Sequence, residues 1–321
     1  MITLGPFSEP SPCCRPGQAD GLWMNFRFNV LLMSLLTAAA PLQADRGAIP
    51  FRPRVTVFEP NQRALIAWNG EEEILILSTD LRGSQPTKVL EVMPFPTEPT
   101  VTNADVTVFH RAVNLINTKL KRTTKSEAEG LTRSRGGSSP PPPAGRITFH
   151  EQIGAHDVAV ARVLDQDGFI AWVNDHLKRS RVDNPIIPGV LQATVRQYLD
   201  EGFGWFVFDV VSLEHRLKST DALQYRFKTS SLYYPIKISR ANQGLTSIQL
   251  LVLTPTMLRT FYGVPMERVL LRHMPVSLSS MEVRWLQPEI DDLLGRRDDV
   301  RLRIWWIQGE FQDLSRDLLA R

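Results

Sequence analysis

Between Gly202 and Arg240 the chain carries three runs rich in β-branched and aromatic residues, GWFVFDVVSLEHRL, ALQYRFKTS and LYYPIKIS, parted by short polar breaks. Such runs predict consecutive antiparallel strands. SIQLLVLT supplies a fourth, so 204–253 reads as a meander. Upstream, RALIAW and EEEILILS flank Asn69-Gly70, which predicts a hairpin over 63–79 with a type I′ turn, both central residues at positive φ. Leu65 and Ile66 point to opposite faces, as do Ile74 and Leu75, so this hairpin needs cover on both sides. Pro94, Pro96 and Pro99 in KVLEVMPFPTEPTV cannot donate to a ladder, which predicts an extended edge or a polyproline-like arm.

Helical spacing appears in five places. Asn103 is placed to cap a helix bearing Val106, Phe109, Val113, Ile116 and Leu120, although its VTVF start is equally compatible with a strand. ITFHEQ and HDVAVARVLD read as strands, after which Asp167 caps a helix with Phe169, Ile170, Trp172, Val173 and Leu177 on one face. Pro188 opens another with Leu191, Val195, Tyr198 and Leu199 inward, and Gly202 closes it. Arg268 to His273 reads as a short strand. Pro288, with Glu289, Asp291 and Asp292 in the first turn, starts a helix that Gly295 stops. RLRIWWIQ is a last strand before an amphipathic tail helix. The pattern predicts an α+β fold of largely antiparallel sheets covered by amphipathic helices.

Three segments stand outside this pattern. Residues 123–145, TTKSEAEGLTRSRGGSSPPPPAG, lack apolar periodicity and read as a disordered linker. It either divides the protein into parts 45–122 and 146–321 or is an exposed insertion within one domain. Residues 24–44 have the layout of a secretory signal: Arg27, an apolar run from Val30 to Ala40, and a small-residue site at Leu42-Gln43-Ala44. The uncharged stretch is interrupted by Pro41 and is short for a membrane span, so cleavage after Ala44 is expected, with no stable transmembrane anchor left behind. Residues 1–23 read as an N-terminal extension foreign to the fold. They hold both cysteines, so disulfide and thiol chemistry are not expected of the mature chain.

Composition adds little. A formal net charge of +3 gives no electrostatic footprint for nucleic acid. The chain has no Gly-x-Ser-x-Gly elbow, P-loop or Rossmann glycine pattern. His150, Glu151, His156 and Asp157 form a group of ligand-type side chains, and equal parity would place both histidines on one face of an unbroken strand. Two surface histidines at a strand end are the ordinary explanation; a divalent metal at His150, His156 and Asp157 is the chemical one. No cofactor is otherwise expected. Asp165-Gln166-Asp167-Gly168 resembles part of a calcium loop, but no alignment puts an acid at the closing position. Trp305-Trp306 reads as half core and half surface. Asp209, amid WFVF and VV, predicts a buried carboxylate needing a cation, with Arg226, Lys228 and Lys237 as candidates. A structural ion pair is one reading; a cationic patch around Asp209 that holds an anionic small molecule is the other.

The residues RALIAWNGEEEILIL, the MPFP arm, HDVAVARVLDQDGFIAWVNDHL, GWFVFDVV and YRFKTSSLYYPIKIS together resemble a family of secreted bacterial proteins catalogued as a domain of unknown function, numbered twenty-three thirty. The likeness runs from about Gly47 to Pro255. It implies an exported bacterial protein and brings no activity or site residue. The expected function is a non-catalytic binding or interaction module, its partner an envelope protein or an anionic small molecule. The alternative is a metal-assisted hydrolase using His150, His156 and Asp157.

Overall fold

The computed structural model describes residues 47–52, 55–58, 61–123, 149–153, 156–182, 186–241, 244–271 and 273–321. The extension, the signal and residues 124–145 of the linker lie outside these. The first part of the chain forms β1 (Gly47–Pro50), β2 (Val57–Phe58), β3 (Asn61–Trp68), β4 (Glu72–Gly83), β5 (Thr87–Phe95), β6 (Thr100–Ala104) and α1 (Thr107–Thr123). Then come β7 (Phe149–Ile153), β8 (His156–Arg162), α2 (Gln166–Arg179), α3 (Gly189–Asp200) and β9 (Trp205–Leu213). β10 (Lys218–Ser219), β11 (Ala222–Lys228), β12 (Leu232–Tyr234) and β13 (Leu245–Thr254) follow, with a 3-10 turn at Lys237–Ala241. The last elements are β14 (Phe261–Tyr262), β15 (Val269–Leu271), β16 (Val276–Leu278), α4 (Ser280–Leu286), α5 (Pro288–Leu293), β17 (Val300–Glu310) and β18 (Leu318–Ala320).

These strands make a five-stranded sheet in the order β1-β5-β9-β8-β7 and a ten-stranded sheet with the path β15-β17-β13-β3-β4-β11-β6. β2 and β10 add to β4, and β16 adds to β17. Every pairing is antiparallel except β13 with β3. Strands from before and after the linker interleave, since β5 pairs β9, β4 pairs β11, and β3 pairs β13. The molecule is α+β with largely antiparallel sheets.

The buried clusters define four layers. Ala64, Ile66, Leu75 and Leu77 of the large sheet meet Met93, Phe95, Val158, Val160 and Val207 of the small one in a shared core. The outer face of the large sheet, Leu65, Ala67, Ile74 and Ile76, is covered by α1, α4 and α5 through Phe109, Ile116, Val283 and Ile290. The outer face of the small sheet, Ala159, Phe206 and Phe208, is covered by α2 and α3 through Phe169, Val173, Leu191 and Val195. Both faces of the β3–β4 hairpin are therefore covered, as its residues require.

That layering corrects the meander. β9 lies between β5 and β8, β11 between β4 and β6, and β13 between β17 and β3. Successive runs fall in different sheets: β9 in the small one, β11 and β13 in the large one, and β12 at the edge of a three-stranded sheet with β18 and β14. β9, β11 and β13 take interior places because each has two apolar faces. The proline-bearing arm is corrected for the same reason: Thr87–Phe95 is the interior strand between β1 and β9, with Pro94 near its end opposite Phe206.

Local chemistry moved several boundaries. The β3–β4 connection is not type I′. Gly70 has φ +110°, while Asn69 keeps a negative φ and its Oδ1 accepts from the amides of Glu71 and Glu72 at 2.9 and 2.8 Å. An Asx-type bond thus closes the loop. Asp105, not Asn103, caps α1 by accepting from Thr107 N at 2.8 Å, while Asn103 stays paired in β6. Asp165, not Asp167, caps α2 by accepting from Gly168 N at 2.7 Å. Gly202, at φ +87°, follows α3 as predicted. The tail is not a helix: Leu318–Ala320 pairs with both β12 and β14, burying Leu318 against the inter-sheet core.

Candidate functional site

Buried polar side chains cross the space between the sheets and divide its apolar filling in two. On β5, Glu91 sits between Val89 and Met93; on β9, Asp209 sits between Val207 and Val211. Glu91 and Asp209 are direct cross-strand partners, each 2% exposed. On one side of them lies the large core; on the other lies a small cluster of Ala48, Val57, Leu81, Val89, Val211 and Leu213. Two carboxylates opposite one another on an antiparallel pair repel, so burial there requires a positive group close by.

His156 supplies it. It is the first residue of β8, 2% exposed, and its Nδ1 lies 2.6 Å from Asp209 Oδ2. Its Nε2 lies 3.1 Å from the carbonyl oxygen of Asp221. A carbonyl only accepts, so Nε2 carries a proton and donates it there. The proton between Nδ1 and Oδ2 then leaves the His156–Asp209 pair without net charge, and the short contact is that of a charge-assisted bond. Both ring nitrogens are occupied. In this arrangement His156 has no lone pair for a metal, nor a free site to take a proton from a substrate.

A cavity of about 130 Å³ opens beside this pair, where the β9–β11 connection passes from the small sheet to the large one. Leu81, Val211, Leu213 and His156 form its buried wall; Ser212, Glu214, Lys218 and Asp221 are exposed around it. The connection is held against β4 by Thr220, whose amide donates to the carbonyl of Thr79 at 2.8 Å and whose carbonyl accepts from Ser78 Oγ at 3.1 Å.

A second buried polar cluster anchors the C-terminal strand. Asp317 Oδ1 accepts from Tyr198 OH at 2.7 Å and from the amide of Lys237 at 2.8 Å. Burial pushes the Asp317 carboxyl up to about 6, and it also pushes the Tyr198 and Tyr233 hydroxyls well above the ordinary phenol range. The Lys237 ammonium lies 4.0 Å from the centre of the Tyr198 ring and pairs with Glu201 at 2.5 Å. Elsewhere, burial holds the Glu73 carboxyl well above its usual range, and its Oε2 accepts from the Tyr233 amide at 2.7 Å.

The expected ligand sets are not brought together. Arg226 forms a two-pronged pair with Glu72 at 3.0 and 2.8 Å on the large sheet. Lys228 is exposed on that same strand, and Lys237 is in the 3-10 turn beside α3. Arg226 and Lys228 share the outer face of β11 with Ala222, away from Tyr225 and Phe227 in the shared core, and the Lys237 ammonium pairs with Glu201, so the contact drawn to Asp209 comes from His156 instead. The cationic patch for an anionic molecule is therefore corrected to a buried contact with His156. Of the metal set, position 150 pairs with Ala159 in the β7–β8 ladder, and the His150 side chain lies outside those described. His156 and Asp157 are successive strand residues on opposite faces. Among the described residues no cluster of three or more His, Cys, Asp or Glu is placed to hold a metal ion.

Sequence reasoning found Asp209 and its burial, and of the Trp305-Trp306 pair read as half core and half surface, Trp305 is buried and Trp306 half-exposed. It missed Glu91, whose signal was the same as that of Asp209: one acid at the centre of an apolar strand, KVLEVMPF. Reading that run as an arm removed the reason to ask.

A family model described as "Uncharacterized protein conserved in bacteria (DUF2330)" matches residues 40–262. No curated protein matches. Among solved structures, baculovirus P35 aligns over 84% of this chain and 96% of its own, with 9% identity and a TM-score of 0.36. A mutated baculovirus P35 after caspase cleavage gives 8% identity and the same TM-score, over 81% and 99%. Nothing about function follows from likeness at that level. No described helix is long and apolar enough to cross a membrane. The family match ends at Tyr262, while β17 beyond it borders β13 through ten residue pairs.

Proposed function

The chain belongs to the DUF2330 family of bacterial proteins, and on that premise we propose that it acts outside the cytoplasm as a non-catalytic binding module. The observation that carries this reading is the cavity of about 130 Å³ at the sheet junction, with its buried apolar wall and charged rim. A pre-formed concave site with a few convergent polar groups is where a small ligand is expected. Two further features support it. The imidazole that lines the cavity, that of His156, has both nitrogens engaged within the protein, which argues against general base or metal-hydroxide chemistry there. The signal-like segment 24–44 and the family resemblance support export.

The test is native mass spectrometry of protein recovered from the cell envelope, together with sequencing of its amino terminus. The account expects a chain beginning after Ala44 that retains a small molecule, and loss of that molecule in Leu213→Phe, which fills the cavity. Stoichiometric zinc or manganese that disappears with His156→Ala would contradict it.

A further inference from the structure

The wall and the rim of this cavity differ in character. Leu81, Val211 and Leu213 are 2%, 5% and 4% exposed and belong to one apolar cluster. His156, which closes the inner end, brings no net charge because it shares its proton with Asp209. Glu214, Lys218 and Asp221, by contrast, are exposed. None of the three takes part in an ion pair among the described residues. The rim therefore sums to one negative charge over an uncharged, apolar interior.

Size narrows the occupant. An apolar protein cavity of about 150 Å³ takes up benzene, so a space of about 130 Å³ suits one small ring or a short branched chain. Sign narrows it further. A cleft whose rim carries an excess of carboxylate favours a cation at its mouth and disfavours an anion. Resting on the binding reading above, we infer that the site takes a small amphiphilic amine: an apolar group of about one ring buried against Leu81, Val211 and Leu213, with its ammonium at Glu214 and Asp221.

Benzylamine, benzyl alcohol and benzoate share one ring and differ in the head, so they test size and sign separately. Each is titrated into the full chain and read by ligand-detected NMR. Benzylamine should bind about fivefold tighter than benzyl alcohol, the weight of one exposed ion pair, and benzoate should bind weakest. In Glu214→Gln/Asp221→Asn the amine and the alcohol should become equal. In Leu213→Phe, and independently in Val211→Phe, binding of all three should be lost from a chain that still melts cooperatively. Equal binding of alcohol and amine by the wild type would overturn the ligand class and leave the cavity a binding site. Failure of all three to bind the wild type, or undiminished binding in a folded filled variant, would overturn both the class and the site.

Discussion

Asp209 and Asp317 are both buried acids within reach of a base, yet the protein handles them in opposite ways. Asp209 is met by His156, a compact base whose second nitrogen is already satisfied by the Asp221 carbonyl, so the pair is neutral and closed. Asp317 is met by a hydroxyl and a backbone amide, while the nearby Lys237 ammonium is committed to Glu201. Without a direct cation, burial prevails and the Asp317 carboxyl rises to about 6. Similar burial is thus met in one case by an imidazole and in the other by a hydroxyl and an amide.

The difference predicts a gradient of effects. His156→Ala or Asp209→Ala removes one half of a buried pair and leaves the other without its partner, which should cost about 3–5 kcal/mol in urea unfolding. Asp209→Asn should cost less, since the amide still offers His156 a hydrogen bond. If the alanine variants unfold like the wild type, the two regions do not differ as described.

Asp317 should instead appear as pH dependence. Its folded-state value lies above the ordinary 3.8, so the folded chain binds the proton more tightly than the unfolded one. The stability it contributes is therefore complete below about pH 4 and is lost as pH rises through 6, by roughly 3 kcal/mol in total. Subtracting the stability profile of Asp317→Asn from that of the wild type should isolate this slope. A flat difference would show that Asp317 is not held as drawn.

Two smaller effects mark the ends of the comparison. Glu73 is fully buried, burial holds its carboxyl well above the usual range, and Glu73→Gln should change stability by no more than about 1 kcal/mol. Arg226 pairs with Glu72 at the surface, where Arg226→Gln should cost about 0.5 kcal/mol by urea midpoint. A loss from Arg226→Gln as large as that from His156→Ala would mean that Arg226 does serve a buried acid.

How much of this was legible follows from how local each signal is. Antiparallel strands, the hairpin about Asn69-Gly70 and the inward face of α3 are written in neighbouring residues, and they were found. The burial of Asp209 was legible for the same reason. Its partner was not, because β8 and β9 are joined by two helices, and nothing local distinguishes His156 as the residue that will meet it. The same limit hid the assignment of β9 and β11 to different sheets. Phe311, Leu314 and Leu318 have helical spacing, yet Leu318 opens a strand because β12 and β14 each leave an edge for it. The shift of the cap from Asn103 to Asp105 likewise reflects β6 pairing with β11, a contact between positions far apart in the chain.

The central claim is that His156 is spent within the fold, its Nε2 proton given to the Asp221 carbonyl and its Nδ1 bound to Asp209. Nitrogen NMR of the imidazole, assigned by comparison with His156→Ala, reads this directly. The account predicts a protonated Nε2 with a slowly exchanging hydrogen that persists at mildly alkaline pH. An unprotonated Nε2 in rapid contact with solvent, or one that shifts on addition of zinc, would contradict it.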